Sequence, residues 1–397
     1  MPNKDRNIPK RRFKAFENAD AWELRKVGEI CSISTGKSNT QDRDEQGKFP
    51  FYVRSPIIEK STKYLFDEEA VLTVGDGVGT GKVFHYVNGK YDLHQRVYRM
   101  FSFTHVNAKY FYYYFSKKFF DRVMAMTAKN SVDSVRLEMI SDMEITFPQL
   151  EEQEKIVKVL STLDRQITLH QRKLDKLKHV KQAYLSEMFP AEGERVPKRR
   201  FPGFTDAWEL RKLGEVSSHR GGTAIENFFS EDGKYKVISI GSYGLDNKYV
   251  DQNIRAVENE VTRLRVVNKN ELTMVLNDKT ANGNIIGRCL LIETDDEFVI
   301  NQRTEIINFD NEVNPKFAYV VLNGVFREQV KKIVQGGTQI YVNYSSVEQL
   351  SFSLPTLPEQ SAIGNFFSTL DQQITLHQRK LEKLKNLKKA LLNELFV

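Results

Sequence analysis

Cysteine is scarce in this chain, and long apolar runs are absent from it. Its 397 residues include only two cysteines, Cys31 and Cys289, which argues against a disulfide framework or a zinc module and suits a reducing compartment. The sequence contains no run of about eighteen apolar residues, which is the length that a membrane span requires. The N-terminal segment MPNKDRNIPKRRF lacks the apolar stretch of a secretory signal. We therefore expect a cytoplasmic protein with no membrane partner.

The signatures of several enzyme classes are also missing. The segment 75–82 (GDGVGTGK) resembles a phosphate-binding loop, but Asp76 stands where the first glycine is required, and Val83 where serine or threonine is required. A flexible connection between strands is favoured over nucleotide binding. There is no Asn-Pro-Pro-aromatic motif of amino-methyltransferases, no Pro-Asp dipeptide of PD…ExK nucleases, and no histidine set at metal-ligand spacing. We expect no metal site and no catalysis by this chain alone.

What the chain does contain is ample material for folded cores and an excess of positive charge. Hydrophobic residues make up 40% of it, with 26 phenylalanines, so two or three globular domains are expected. The net charge of +7 favours a polyanionic partner, of which nucleic acid is the commonest. A basic but uninvolved surface is the alternative that composition leaves open.

The strongest feature is a tandem duplication. The segment KRRFKAFENADAWELRKVGEI (10–30) returns as KRRFPGFTDAWELRKLGEV (198–216), with Trp22 aligned to Trp208 at an offset of 186. The segment 161–178 returns at 368–385 with 16 of 18 positions identical, at an offset of 207. That second offset extends back to Gln95-Arg96 and Gln302-Arg303. All net length change therefore falls between Trp22 and Gln95, so each repeat is a constant frame around a segment that is free to differ. Drift of loops without function is the alternative.

Each repeat is expected to form a mixed α/β (α+β) domain. Apolar runs bounded by Gly, Asn and Asp predict strands at 49–53, 70–74, 82–87 and 96–101, and at 235–240, 272–276, 285–292 and 303–309. Aromatic or aliphatic helices are predicted at 109–128 and 316–334. The aromatic run 110–115 is interpreted as core rather than a base-stacking surface, because its counterpart in the second copy is partly aliphatic.

A long helix follows each domain. Seam residues recur at alternating steps of four and three, which is the pattern of a coiled coil; they are Ile156, Leu160, Leu163, Ile167, His170, Leu174 and Leu177, then Ile363, Phe367, Leu370, Ile374, His377, Leu381 and Leu384. Each helix would be about 55 Å long at 1.5 Å per residue. Antiparallel pairing is preferred to parallel pairing, because it gives a pseudo-two-fold axis with one domain at each end. His170 and His377, in the middle of each seam, are interpreted as a polar pair that fixes register rather than as a metal site.

These motifs resemble the specificity subunits of type I restriction–modification systems over nearly the whole chain. The second copy has Phe201-Pro-Gly-Phe204, Trp208 to Glu215, Asn301-Gln302 and Leu354 to Gln360. The first copy departs with Lys14-Ala15 for Pro-Gly, two extra residues before Trp22, His94-Gln95 for Asn-Gln, and Glu151 in place of Pro358.

The resemblance implies two target-recognition domains in tandem, separated by two long antiparallel coiled-coil helices with pseudo-two-fold symmetry. We expect the first recognition domain at 1–150, the first helix at 151–189, a linker with the second recognition domain at 190–357, and the second helix at 358–397. It also implies a non-catalytic subunit that binds double-stranded DNA, two adenine-N6 methyltransferase subunits and, through the complex, motor–nuclease subunits. AdoMet, ATP and Mg²⁺ would belong to those partners, with no cofactor in this chain. The helices would set the gap of a bipartite, asymmetric target.

Base and phosphate contacts require Arg, Lys, Asn or Gln. The candidates are Lys37, Arg43, Arg54, Lys82, Gln95 and Arg96 in the first copy, and Arg220, Lys236, Asn277, Lys279, Asn284, Gln302 and Arg303 in the second. Gln95-Arg96 and Gln302-Arg303 occupy matching positions and cannot distinguish two targets, so they are assigned to phosphate or to structure. The loop 75–82 and its counterpart 277–288 are both placed near DNA. A modification-only system and a coiled-coil scaffold that never touches DNA are the two competing interpretations.

Overall fold

The computed structural model describes residues 7–77, 79–126 and 134–397. The chain forms two compact units. Unit 1 comprises the residues up to Gln171 together with Arg379–Val397, and unit 2 comprises Arg172–Gln378. The four segments expected from the sequence stay a prediction, since these units divide both long helices between them.

The secondary structure is mixed α/β. The strands are β1 Glu23–Lys26, β2 Ser32–Thr35, β3 Phe49–Tyr52, β4 Ile58–Ser61, β5 Phe66–Val74, β6 Phe84–Leu93, β7 Val97–Phe101, β8 Glu144–Phe147, β9 Glu209–Lys212, β10 Ser217–Gly221, β11 Tyr235–Ile238, β12 Arg255–Ala256, β13 Val266–Val267, β14 Leu272–Val275, β15 Asn277–Asp278, β16 Cys289–Leu291, β17 Phe298–Ile300, β18 Thr304–Phe309, β19 Gln335–Gly336, β20 Ile340–Tyr341 and β21 Ser351–Leu354. The helices are α1 Val27–Ile30, α2 Ala108–Ala125, α3 Leu137–Ser141, α4 Leu150–Glu187, α5 Glu260–Arg263, α6 Pro315–Asn323, α7 Val325–Lys332, α8 Tyr344–Val347 and α9 Leu357–Leu395.

Unit 1 is built on a six-stranded sheet in the order β2-β7-β5-β6-β3-β4. The pair β3–β6 is parallel and the other neighbours are antiparallel. Helix α2 covers the sheet with the aromatic run, in which Tyr110, Phe111 and Phe115 are fully buried. The assignment of this run to the core is therefore confirmed.

Unit 2 repeats this arrangement with its sheet divided into two. One sheet has the order β10-β18-β14-β16, and the other β12-β11-β17-β13. The long strand β6 of unit 1 corresponds to two short strands, β16 and β17, which are separated by residues 292–297. The strand predicted at 285–292 was wrong at its start, because residues 285–288 belong to the preceding loop.

The helix predicted at 316–334 was also wrong, because it is two helices. Helix α6 ends at Asn323 and α7 begins at Val325, with Gly324 between them at φ −104° and ψ −117°. Glycine enters this region without a side-chain clash, whereas the first copy has Lys117 at the equivalent position. The final residues of the helix predicted at 109–128 lie outside the described residues.

The tryptophan segment of each repeat pairs with the last strand before the long helix. Strand β1 is antiparallel to β8, and β9 is antiparallel to β21. Trp22 and Trp208 are almost fully buried, at 3% and 1% exposure. The C-terminal Phe396 packs 5.3 Å from Tyr110 in unit 1, while Phe189 packs 6.1 Å from Trp208 in unit 2. The repeated motifs therefore build the same frame in each unit.

The two long helices run antiparallel within unit 2, where the rings of Tyr184 and Phe366 lie 4.9 Å apart and Lys181 Nζ donates to Asp371 Oδ1 at 2.6 Å. In unit 1 the equivalent Lys388 donates to Asp164. The predicted seam residues are all buried or half-buried, whereas Leu169 and Leu376 are exposed. Lys181 and Lys388 occupy the seam positions that follow Leu177 and Leu384. Each of these lysines is paired with one of the two aspartates.

Candidate nucleic-acid interface

Four separate segments of unit 1 meet at one edge of its sheet. The backbone N–H of Gly75 donates to the carbonyl of Arg96 at 2.8 Å, and that of His94 donates to Tyr52 at 3.0 Å. The backbone N–H of Gln95 donates to Ser38 at 2.9 Å. The ends of β3, β5 and β6 and the segment after β2 are thereby joined around the Gln95-Arg96 turn.

The closest approach in this edge requires glycine. A Cβ atom at Gly36 would lie 2.0 Å from the carbonyl oxygen of Leu93, which no side chain tolerates. Gly222 has the same relation to Asn301, at 1.9 Å. In both repeats, therefore, the chain that follows β2 or β10 lies directly against the turn that carries the Gln-Arg pair.

Two arginines of unit 1 flank one carboxylate at this edge. Arg54 Nη1 lies 3.5 Å from Asp76 Oδ1, and Arg96 Nε lies 3.7 Å from Asp76 Oδ2. The side chains of the two arginines are 48% and 65% exposed. At these distances neither guanidinium is held by a tight bidentate hydrogen bond, so each keeps donors for a phosphate or a base edge.

His94 and Gln95 complete this cluster. His94 Nδ1 accepts the backbone N–H of Arg96 at 3.0 Å, and Gln95 Nε2 donates to Asn39 Oδ1 at 2.5 Å. Burial, followed by the charge of Arg54, lowers the pKa of His94 below its usual value. The histidine is therefore neutral at pH 7, and the positive charge of the cluster comes from its arginines.

The remaining candidates of unit 1 differ in their surroundings. Lys37 is exposed, and its backbone N–H donates to Leu93, which places it beside the cluster. Lys82 ends the glycine-rich connection between β5 and β6, with its Nζ 5.0 Å from the centre of the Phe120 ring. Arg43 lies apart from these, with Glu45 at 2.9 Å and Glu59 at 3.4 Å. Arg43 is the candidate whose charge is most fully engaged within the protein. Val78, inside the connection, lies outside the described residues.

Unit 2 carries an equivalent turn with different neighbours. Leu276 donates its backbone N–H to the carbonyl of Arg303 at 2.9 Å, as Gly75 does to Arg96. Asn301 Oδ1 accepts the backbone N–H groups of Ile225 and Gln302, and Gln302 Nε2 donates to Glu226 at 3.0 Å. Asn301 Nδ2 also donates to Glu226 Oε1 at 2.9 Å, and this hydrogen bond is the largest cause of the lowered pKa of Glu226. Arg303 is exposed and has a left-handed backbone, with φ 67°.

The loop from Asn277 to Arg288 is tightly organised. Asp278 is 3% exposed and accepts the backbone N–H groups of Thr280 and Ile285. Arg327, itself 7% exposed, donates to the carbonyls of Gly283, Asn284 and Ile286. Lys279 and the side chain of Asn284 are exposed, and Asn277 is half-buried beside Arg303. The loop is thus a rigid platform that presents these polar side chains.

Arg220 and Lys236 lie elsewhere in unit 2 and are engaged in ion pairs. Arg220 Nη2 donates to both oxygens of Glu271 at 2.7 and 2.8 Å, and Lys236 Nζ donates to Glu297 at 2.6 Å. The structure therefore brings together Lys37, Arg54, Gln95 and Arg96 in unit 1. In unit 2 it joins the Gln302-Arg303 turn to the start of the loop that carries Asn277, Lys279 and Asn284. Sequence reasoning missed Asp76, Glu226, Asp278 and Arg327, which hold the clusters in place.

A matching pair of contacts anchors the start of each long helix. Arg12 donates to the buried Glu152 at 2.8 and 2.9 Å, and Arg200 donates to the buried Glu359 at 2.6 and 2.7 Å. The adjacent glutamines, Gln153 and Gln360, accept the backbone N–H of the residue that caps α2 or α6. The Glu-Gln pair at the start of each long helix therefore joins that helix to its domain and to the arm of the repeat, by which we mean residues 10–21 or 198–207.

Among residues 7–77, 79–126 and 134–397, no group of three or more His, Cys, Asp or Glu side chains is placed to hold a metal ion. Within the same ranges no helix has the length and apolar character needed to cross a membrane.

The fold defines a duplicated α/β protein whose two copies share a frame and differ at one polar edge. The family model for the type I restriction modification DNA specificity domain matches residues 19–179 and 205–386. The MjaVIII specificity subunit of Methanocaldococcus jannaschii is 23% identical over 392 residues, which cover 94% of this chain and 91% of that protein. The EcoDI specificity subunit of Escherichia coli is 26% identical over 183 residues, which cover 45% of this chain and 40% of that protein.

A solved structure has the same fold. The crystal structure of the type I restriction–modification S subunit from M. genitalium gives a TM-score of 0.71 at 15% identity, over 98% of this chain and 99% of that chain. The chain belongs to the type I restriction–modification specificity subunit family. It is a DNA-recognition subunit with no catalytic role of its own.

Proposed function

We propose that each unit reads one half of a bipartite, asymmetric DNA target, and that the paired helices set the gap and dock two adenine-N6 methyltransferase subunits. One observation carries the reading function. In both units a shared Gln-Arg turn is bordered by residues that differ, with Arg54 and Asp76 in unit 1 and the Asn277 loop in unit 2. A constant phosphate-binding pair beside variable base-reading groups provides affinity and sequence choice separately.

The geometry of the variable groups suits direct readout. Arginine reads guanine by two parallel hydrogen bonds, and asparagine reads adenine in the same way. The two units present different members of this set around the shared turn, so they are expected to read different half-sites. AdoMet, ATP and Mg²⁺ would be used by the partner subunits, which include motor–nuclease subunits when the complex restricts DNA.

The decisive test is methylation mapping in host DNA after co-expression with the methyltransferase subunit of the same system. We expect a two-part motif with a fixed gap and one modified adenine on each strand. Exchange of residues 30–95 for those of a relative with another target should change one half of the motif and leave the other half intact.

A stable complex that leaves the DNA unmethylated would mean that the units do not read DNA, and the scaffold interpretation would replace the proposal. Salt gives an independent check, because specific DNA binding weakens steeply as ionic strength rises. Neighbouring genes would distinguish a restricting system from a modification-only system that lacks a nuclease subunit, and this chain has the same role in either.

A further inference from the structure

Unit 1 has an open groove between its sheet, α2 and the long helix α4. Its volume is about 380 Å³, and its walls are formed by Phe84, His85, Tyr86, Lys109, Tyr112, Tyr113, Ser161 and Asp164. Asp164 accepts a hydrogen bond from the Tyr113 hydroxyl at 2.7 Å, and Lys109 Nζ lies 4.9 Å from the centre of the Tyr86 ring. The groove therefore combines aromatic faces with charges of both signs.

In unit 2 the equivalent surface is covered by the chain itself. Tyr319 occupies the position of Tyr112, and its hydroxyl donates to the backbone carbonyl of Asn247 at 2.8 Å. The neighbouring Lys248 donates from Nζ to the hydroxyl of Thr375, on the long helix α9. Arg288 donates to the Asn247 side chain and fixes the loop from its other side.

The reason for this difference is the length of one loop. Between β11 and β12, unit 2 has residues 239–254, whereas between β3 and β4 unit 1 has only residues 53–57. The covering residues Asn247 and Lys248 belong to the extra length. Unit 1 keeps Tyr112 and the exposed Thr168, which correspond to Tyr319 and Thr375, but its connection 53–57 lacks the residues that cover them in unit 2.

We infer that the groove of unit 1 receives a loop from a methyltransferase subunit, one that presents a backbone carbonyl to Tyr112 and a lysine or arginine to Thr168 on the long helix. This inference rests on the proposed docking of methyltransferase subunits on the long helices. In unit 2 a polypeptide loop with this chemistry covers the equivalent surface. This observation favours a protein loop as the occupant of the groove in unit 1.

Other occupants fit the groove less well. A DNA backbone would place phosphates near the carboxylate of Asp164, which is paired with Lys388, and would not supply the backbone carbonyl that the hydroxyl of Tyr319 meets in unit 2. In a second copy of this chain the loop with this chemistry is already engaged, because Asn247 and Lys248 are bonded to Tyr319 and Thr375. It follows that the two methyltransferase subunits make different contacts, one of them with this groove and the other with a surface that the chain has already closed.

The occupant can be identified by photo-crosslinking in the full complex. A benzoyl-phenylalanine residue replaces Tyr112 in one variant and, as the matched control, Tyr319 in another. We expect position 112 to crosslink to a peptide of the methyltransferase subunit, and position 319 to crosslink within the chain, at residues near Asn247. A crosslink from position 112 to DNA or to a second copy of this chain would overturn the inference, and so would its absence in a complex that holds two methyltransferase subunits.

A blocking variant measures the contribution of the groove to assembly. Ser161→Trp fills the space from the helix side, and Tyr112→Phe removes only the donor hydroxyl. We expect Ser161→Trp to weaken one of the two methyltransferase binding steps by at least about tenfold, and Tyr112→Phe to weaken the same step by a smaller factor. If neither binding step changes, the proposed role of the groove is wrong, and the proposed docking on the helices is unaffected. If the unmodified chain binds no methyltransferase subunit, the proposed docking itself is wrong.

Discussion

The two units of this chain share their frame contact for contact and differ where their loops differ. Gln153 and Gln360 make the same three hydrogen bonds, to the capping asparagine, to the proline carbonyl before the helix and to one loop carbonyl. Length differs in three connections between equivalent sheet strands: 53–57 against 239–254, 62–65 against 257–271, which contains α5 and β13, and 75–83 against 276–288, which contains β15. The residues that hold each domain to its helix are therefore the same in the two copies, whereas those that border the Gln-Arg turn differ.

This comparison has a physical basis. The frame residues are buried polar groups whose partners are also buried, so the loss of one partner leaves the other unsatisfied at a cost of several kcal/mol. The loop side chains that are proposed to contact DNA, such as Arg54 and Lys279, are exposed, and a substitution at the surface costs little stability. Selection can therefore change what each unit reads without changing how it is held.

The largest effect is expected from the arm arginines. Arg12→Met should destabilise unit 1, and Arg200→Met unit 2, each by about 3–5 kcal/mol, because each leaves a buried glutamate uncompensated. The chain has only two tryptophans, one in each core, so Trp208→Phe and Trp22→Phe backgrounds allow urea unfolding of each unit to be followed by fluorescence. Arg25→Met, which breaks an exposed ion pair, is the control and should change the free energy of unfolding by less than about 0.5 kcal/mol. A loss below about 1 kcal/mol in either arm variant would show that the anchors do not act as described.

The next largest effect concerns DNA affinity. Arg96→Ala and Arg303→Ala remove the shared arginines, so each should weaken binding to all sequences alike and reduce the salt slope of the assembled complex by about 1. Arg54→Ala removes a residue that has Ile240 at the equivalent place, so it should cost about 1–3 kcal/mol at one half-site only. Affinity measured against salt, on targets altered in one half, separates these cases. Arg43→Ala is the matched control with little expected change, and equal losses for Arg43 and Arg96 would contradict the assignment.

A smaller effect is expected at the helix pair. Asp164 accepts from both Lys388 and the Tyr113 hydroxyl, whereas Asp371 accepts from Lys181 and has Val320 where unit 1 has Tyr113. Asp164→Ala should therefore cost about 1 kcal/mol in unit 1, and Asp371→Ala roughly half of that in unit 2. The same unfolding assay measures both, and a larger loss for Asp371 would reverse the comparison.

The sequence predicts the frame well because the frame is periodic or repeated. The long helices were expected at 151–189 and 358–397 and span Leu150–Glu187 and Leu357–Leu395, since a seam with steps of four and three has no other regular structure to form. Burial of Tyr110–Phe115 followed from the aliphatic residues of its counterpart. Both inferences used the second copy as a comparison within one chain.

The polar edge was less predictable because its contacts join distant positions. Asp76 was noticed only as a departure from a phosphate-binding loop, yet it lies between Arg54 and Arg96. Arg220 and Lys236 looked like Arg54 in the sequence, but tight pairing with Glu271 and Glu297 distinguishes them. The arrangement of the strands decides which carboxylate pairs with which cation. The spacing of residues along the sequence does not predict these pairs.

The smallest expected effect is a difference in acid sensitivity at the Gln-Arg turn. Unit 1 has His94 where unit 2 has Asn301. The pKa of His94 is lowered, mainly by burial, so the folded unit binds a proton less readily than the unfolded chain, whose histidine titrates near about 6.5. The stability linked to His94 is therefore fully present above that pH and is lost as the pH falls through it toward the lowered pKa. His94→Asn, which preserves an acceptor for the backbone N–H of residue 96, should reduce this loss.

Unfolding of unit 1 followed from pH 7.5 to pH 5 tests this, with unit 2 in the same samples as the internal control. The pH dependence should decrease in the variant without disappearing, because burial also lowers the pKa of His85 in the same unit. Identical pH profiles for the variant and the unmodified chain would show that His94 is protonated as easily in the folded unit as in the unfolded chain. The two turns would then be equivalent in their electrostatics, and the difference between the units would rest on Arg54, Asp76 and the loops alone.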